Sequence, residues 1–506
     1  MLIFKCLAGD RFCLQNFAAA RALLCMRDVS WRMYLLILQA TGRIVFLPPT
    51  MSMRKDKDSH IQPAGSAIAE QIARIALPAV VSNISVPLLS LVDTAIVGHM
   101  GAEKYIGAVA VGGTVFNVVY WLFGFLRMGT SGLTAQAFGG GNAKEMALQL
   151  ARPVALALFF GMMLVLLGGV AANAAFMLIG ASADVEPLAR AYFAVGIFGA
   201  PAVLAMYAFS GWFIGMQNSR YPMAVAILQN LVNVAASLVF VYILRLGVAG
   251  VALGTVTAQY LGLAMCVVMW RRKYARMLPR PLAGEVFDTR GLSRFFGVNR
   301  DIFLRTLCII AVMSYFTVAG AAMGDTVLAV NSLLMQLFIV FSYFMDGFAY
   351  AGEALAGRYV GEHNREAFSV VVRRLFYIGS FLAAVFTLSY FAGGRGFLSL
   401  LTDNKETVAA AMSYLCWAAC VPAASFVAFV LDGICVGTTA SRLMLLSSSL
   451  AAAVFFAVFF AFRDVAGNDA LWAAFLSYLS VRGLVEVAFY SRMARRAFIV
   501  HRNIGG

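Results

Sequence analysis

The chain has 506 residues, of which 62% are hydrophobic and 12% charged, with a mean hydropathy of +0.83. A soluble domain is about 45–50% apolar, so an ordinary soluble protein is excluded and the lipid bilayer is the expected partner; the length allows roughly a dozen spans of about 20 residues. The net charge of +15 does not point to nucleic acid, because the Lys and Arg residues sit in short loops between apolar runs and no basic soluble domain is visible.

Residues 1–70 form an N-terminal extension in which Lys5, Arg11, Arg21, Arg27, Arg32 and Arg43 alternate with short apolar stretches. It reads either as a targeting segment or as an over-long start ahead of Met51 or Met53, and no fixed structure is expected of it. Apolar stretches then lie near 72–98, 105–135, 147–180, 188–216, 222–244 and 248–270, which defines a first lobe over 71–271. A basic linker, 272–300, leads to stretches near 301–322, 327–357, 371–396, 408–436, 443–462 and 471–490, a second lobe over 301–491, and a tail, 492–506. Assigning alternate loops to alternate sides places about 25 Lys and Arg on the side of both termini and about six on the other, so both termini are predicted to be cytoplasmic.

The two halves repeat. Gly101, Gly124-Phe125 and Gly129 recur as Gly324, Gly347-Phe348 and Gly352, each 223 residues later; Gly211, Gly215 and Ser219-Arg220 recur as Gly433, Gly437 and Ser441-Arg442, each 222 later. Six spans are an even number, so the second half enters from the same side as the first and the repeats are parallel. The predicted fold is an all-α polytopic membrane protein of twelve transmembrane helices in two six-helix repeats, an architecture suited to alternating access.

A charge within a span costs several kcal/mol, which makes each such residue a functional candidate. Asp93 follows Pro78 and Pro87 on the first span; those prolines free carbonyls and let the helix bend, while an Asp satisfied by interfacial water is the alternative. On the fifth span Asn230, Asn233 and Ser237 share a helical spacing beside Gln229 and either pack between helices or line a cavity. Arg127 is expected to neutralise a carboxylate or cap carbonyls. Asp346, Glu353 and Asp432 interrupt apolar runs, and Arg482 and Glu486, at i and i+4, can pair along one helix. The run Gly139-Gly140-Gly141-Asn142 lacks the Lys-Ser/Thr ending and preceding strand of a phosphate loop, so a turn is expected. The eight cysteines, including Cys416 and Cys420 on one helix face, have no accompanying His or carboxylate cluster, so no metal site is expected.

Several stretches are shared with a known family: Val92-Asp93-Thr-Ala-Ile-Val-Gly98-His-Met-Gly101, Trp121 to Gln136, Asn299-Arg-Asp301-Ile-Phe-Leu-Arg305, and Tyr343-Phe-Met-Asp346-Gly-Phe-Ala-Tyr-Ala-Gly-Glu353. From about residue 70 to 495 the chain resembles the multidrug and toxic compound extrusion (MATE) family, and within it the DinF-like branch. The resemblance implies a V-shaped pair of lobes and antiport of an organic substrate against protons or Na⁺, with no cofactor. It implies ion coupling at Asp93, polar cavity residues at Ser210, Asn233, Ser237 and Thr255, and a match between Asp432 and the tenth-helix carboxylate of sodium-coupled relatives; Na⁺ would bind near Asp93 or Asp432. Ser237 stands where the family commonly has Asp, and Ser210 where it has Asn, which removes the usual carboxylate partner of Asp93.

The function expected is therefore export of a small organic compound by a monomeric secondary antiporter in a bacterial inner membrane. A lipid-linked oligosaccharide flippase would need a cationic cavity, for which Arg127 and Arg482 are the arginines expected at depth. A membrane-embedded enzyme would need clustered His, Cys or paired acids. His60, His99, His363 and His501 fall outside the predicted spans.

Overall fold

Eleven helical elements are long and apolar enough to cross a membrane, and the last of them crosses twice. It runs over Ser441–Ile499, 59 residues, which as a straight helix would extend about 88 Å at 1.5 Å per residue, far beyond a hydrocarbon core of about 30 Å. Gly467, at φ 51° and ψ −120°, breaks it, and the hydroxyl of Ser447 reaches Glu486 at 2.8 Å, so the two arms fold back on one another. That makes twelve crossings among the described residues. The structure, a computed structural model, describes residues 65–100, 103–179 and 182–500; the extension expected over 1–70 lies, up to residue 64, outside them.

The first span is α1 (Gly65–Gly98); α2 (Glu103–Leu122) and α3 (Phe125–Gly139) make the second, and α4 (Ala143–Ile179) the third. The fourth joins α5 (Glu186–Gly196) to α6 (Ala200–Gly215), the fifth is α7 (Arg220–Leu238) with a π turn at Val239–Ile243, and the sixth is α8 (Gly247–Lys273). After a short α9 (Ala283–Val286) come α10 (Thr289–Ala322), α11 (Asp325–Gly361), α12 (Arg365–Leu401), α13 (Lys405–Gly437) and the two arms of α14 (Ser441–Val500).

Two boundaries differ from the sequence reading. The last part of the 272–300 linker is helical, because Asp288 caps α10 by accepting a hydrogen bond from the Gly291 amide at 3.0 Å and Phe295 and Asn299 are buried. The linker is also tied down: Arg152 donates to the carbonyls of Glu285 and Val286. The Lys144 ammonium, 2.5 Å from Glu285, holds that carboxyl below its usual range. Most of the tail read at 492–506 continues α14 to Val500, where Met493 is buried against Cys435. The glycine run is a turn, with Gly141 at φ 64° and the Asn142 side chain capping α4 through the Glu145 amide.

The repeated glycines do the same work in both halves. A Cβ at Gly211 would lie 2.2 Å from the Arg127 carbonyl oxygen and one at Gly433 2.4 Å from that of Ala349. At Gly215 and Gly437 the nearest carbonyls, of Ser131 and Glu353, would be 2.7 and 2.6 Å away. Each pair brings the fourth span of its repeat against the second at a distance only glycine permits.

The lobes touch each other on the side of the termini. Tyr359 donates to Gln71 at 3.0 Å, Gln136 to the Gly437 carbonyl at 2.8 Å, Gln217 to the Ala354 carbonyl at 2.8 Å, and Asn83 to the Tyr343 carbonyl at 3.2 Å. Among the described residues no hydrogen bond joins the lobes beyond Asn83 on α1 or before Tyr343 on α11. The V therefore opens on the face opposite the termini, and its closed end lies where α3 meets α11.

Candidate ion-coupling site

The prolines of α1 shape the site. Pro78 has no amide hydrogen for the Arg74 carbonyl four residues earlier; Ser219 approaches that oxygen at 3.4 Å and the Ile75 carbonyl at 2.7 Å. Asn230 donates to the Ser85 carbonyl at 2.9 Å, and the Tyr242 hydroxyl to the Ile96 carbonyl at 2.9 Å. Three straps thus run from α7 and its flanking turns to α1 at successive heights. They reach α1 before Pro78, between Pro78 and Pro87, and beyond Asp93.

Asp93 faces neutral polar groups. Val92 and Ile96 pack in the same cluster as Tyr192 and Val251, and Tyr192 lies within electrostatic reach of Asp93 while its hydroxyl bonds Thr255. Asn233 donates to Thr255 at 2.9 Å. Four buried oxygens near this wall have no hydrogen-bond partner among the described residues: Asp93 Oδ1, Asn233 Oδ1, Ser237 Oγ and Gln259 Oε1. Asn233 and Ser237 lie on α7 between the residues that reach Ser85 and Ile96 of α1, and Gln259 is one turn along α8 from Thr255. Asn233, Ser237 and Thr255 thus fall on one wall; Asn230 is spent on α1, and Ser210, half-buried on α6, makes no hydrogen bond recorded among the described residues.

The other intramembrane acids are held differently. Glu353 accepts from the two terminal guanidinium nitrogens of Arg127, at 3.1 and 3.3 Å, and from Ser131 at 2.5 Å. Arg127 also stacks on Tyr350, 4.1 Å from the ring centroid. Position 350 is position 127 plus 223, so Arg127 meets its own repeat counterpart and the pair lies on the pseudo-twofold axis, at the closed end of the V. Asp432 accepts from both Arg305 and Arg482, and Glu486 accepts from Ser447. Arg482 and Glu486 do not pair along their helix as expected from spacing, because Arg482 turns to Asp432 on α13. Asp346 makes no hydrogen bond or ion pair among the described residues, and it lies within electrostatic reach of two arginines, Arg127 and Arg305, and of two acids, Glu353 and Asp432. Asp93 is the one intramembrane carboxylate among them with neither a bonded partner nor an arginine in reach.

Sequence reasoning missed Arg305 and Tyr192. Arg305 is buried, 7% exposed, so Arg127 and Arg482 are not the only arginines at depth. Its signal was available as a second charge, four residues after Asp301, inside an apolar run. That spacing suggests local pairing, but Asp301 instead accepts from Ser441 at 3.0 Å and from Arg300 at 3.1 Å. Tyr192 had no distinguishing pattern. No group of three or more potential metal ligands occurs among the described residues.

The comparisons match this architecture. The MatE family model matches twice, over residues 78–243 and 302–488, once per lobe. The chain is 37% identical over 421 residues to the DNA damage-inducible protein F of Escherichia coli, covering 83% of this chain and 91% of that protein. It is 24% identical over 314 residues to the probable multidrug resistance protein NorM of Thermotoga maritima, covering 61% and 66%. A mutant of the Vibrio cholerae MATE transporter VcmN has the same fold, with a TM-score of 0.77 at 16% identity over 86% of this chain and 99% of that one. With two lobes each matched by one family model, the chain belongs to the MATE family of membrane transporters.

Proposed function

We propose that the chain is a secondary antiporter that exports an organic compound from a bacterial cell in exchange for protons, with Asp93 as the residue at which proton and substrate compete. The observation that carries this reading is the contrast among the acids. Glu353 and Asp432 each have a bonded arginine, whereas Asp93 faces neutral donors and acceptors. A carboxylate without a fixed counter-ion changes the charge of its surroundings when it takes a proton, and that changes its affinity for a cationic ligand. Differential affinity of this kind couples two conformations.

Asp432 supports the proton over Na⁺. Its Oδ2 is shared by two guanidinium groups, so a cation binding there would have to displace them. The same commitment of Arg127, Arg305 and Arg482 to carboxylates weighs against a flippase that must offer free cations to a pyrophosphate. The termini are cytoplasmic in this reading, because Lys104, Arg190, Arg245, Arg395, Lys405 and Arg463 are the few basic residues at the opposite ends of the spans. The open face of the V then looks outward.

The test is uptake of ethidium into liposomes carrying the purified protein, driven by an imposed pH gradient or by an imposed Na⁺ gradient. A pH gradient is expected to suffice in Na⁺-free buffer. Transport that needs Na⁺ and ignores the pH gradient would assign the coupling to sodium.

A further inference from the structure

A cavity of about 660 Å³ opens on the terminal side, where the start of α1, the α6–α7 turn, the end of α8 and the end of α11 come together. Its lining carries four cationic side chains, Arg74, Arg220, Lys273 and Arg358, and no carboxylate. Arg358 is paired with Glu362 at 2.7 Å, but Arg74, Arg220 and Lys273 have no ion pair among the described residues. One acid, Glu70, borders the adjoining hollow that shares Arg74 and Arg220.

The neighbours of these cations indicate an amphiphile. Lys273 lies over the rings of Tyr221 and Tyr274, 5.5 and 5.2 Å from their centroids, in the arrangement of aromatic and basic residues typical of a membrane interface. Met277 on the cavity's lining and Leu77 in the adjoining hollow are 71% and 59% exposed, and they offer apolar surface beside the charge. Three unneutralised cations next to apolar surface, at the end of a bundle, match a phosphate group that carries hydrocarbon chains. Basic pockets between spans bind anionic headgroups in this way.

We propose that this cavity is a binding site for the phosphodiester headgroup of an anionic membrane lipid, which bridges the two lobes at their closed end. The phosphate sits among Arg74, Arg220 and Lys273 of one lobe and beside Arg358 of the other, while the acyl chains lie along Leu77 and Met277. The bound lipid favours the form closed on the terminal side, because parting the lobes there separates Arg358 from the other three cations.

The experiment is native mass spectrometry of the full-length protein in detergent, titrated with phosphatidylglycerol, with phosphatidylcholine, or with phosphatidylglycerol in excess inorganic phosphate. Wild type is expected to retain phosphatidylglycerol in preference to phosphatidylcholine. The R74Q/R220Q/K273Q variant is expected to bind it roughly a hundredfold more weakly. R271Q/R272Q/R276Q removes the same charge from exposed positions outside the cavity and is expected to bind like wild type. Equal loss in both variants, or unchanged binding in the first, would overturn the site. Displacement of the lipid by inorganic phosphate alone would overturn the lipid as occupant. Retention of the lipid in the presence of inorganic phosphate supports it.

Discussion

Asp93→Asn is expected to remove proton-driven transport while leaving the folded protein intact. The amide keeps the size and polarity of the carboxyl, and no bond seen in the structure is lost, since Asp93 Oδ1 has no partner to begin with. The straps from Ser219, Asn230 and Tyr242 to α1 act on backbone carbonyls and are untouched. What disappears is the charge that a proton can cancel. A coupling free energy of about 1–3 kcal/mol corresponds to a roughly 5- to 150-fold change in affinity, and pH-driven ethidium transport should fall by at least that range. Elution as a single species, with the wild-type unfolding temperature, would show that the loss is functional. Transport at the wild-type rate in this variant would remove Asp93 from the mechanism.

Breaking the Arg127–Glu353 pair should have the largest effect on stability. Glu353 is 1% exposed, and removing one partner of such a pair leaves an uncompensated charge that costs about 3–5 kcal/mol. Glu353→Ala should therefore lower the unfolding temperature markedly and weaken the closed end of the V, where Ser131 loses its acceptor as well. Replacing both partners, Arg127→Met with Glu353→Met, should recover most of the stability, because a buried ion pair often differs little from apolar side chains of similar size. The recovered double variant discriminates between two roles. If the pair only holds the fold together, transport returns with stability. If it must open and re-form as the lobes alternate, the double variant stays inactive although the protein is stable.

The spans were legible because an uninterrupted apolar run of the length needed to cross a bilayer has few other uses, and the repeat because Gly211, Gly215, Gly433 and Gly437 each sit where a side chain would collide with a backbone carbonyl. Asp93 was legible for a related reason: a carboxylate in a span must be accounted for. The partners were not. Arg305 finds Asp432 across 127 positions and Arg127 finds Glu353 across 226, and nothing local marks either choice. Spacing even misled for Arg482 and Glu486, since i and i+4 on one helix competes with a partner on another helix when both are buried. Tyr192 was one of 18 tyrosines with nothing to distinguish it until α1, α5 and α8 were assembled around Asp93. The direction in which the V opens was likewise invisible, because it depends on which ends of α1 and α11 bond across the lobes.

In the proposed cycle Asp93 exchanges a proton for substrate. This exchange is tested most directly by adding ethidium to the purified protein in weakly buffered, Na⁺-free detergent solution and recording the protons released. Wild type is expected to release protons as ethidium binds, with more bound ethidium and less release as the pH is raised and Asp93 is already ionised, and Asp93→Asn is expected to release none. Equal release from both proteins, or tight ethidium binding to wild type with no release at any pH, would contradict it.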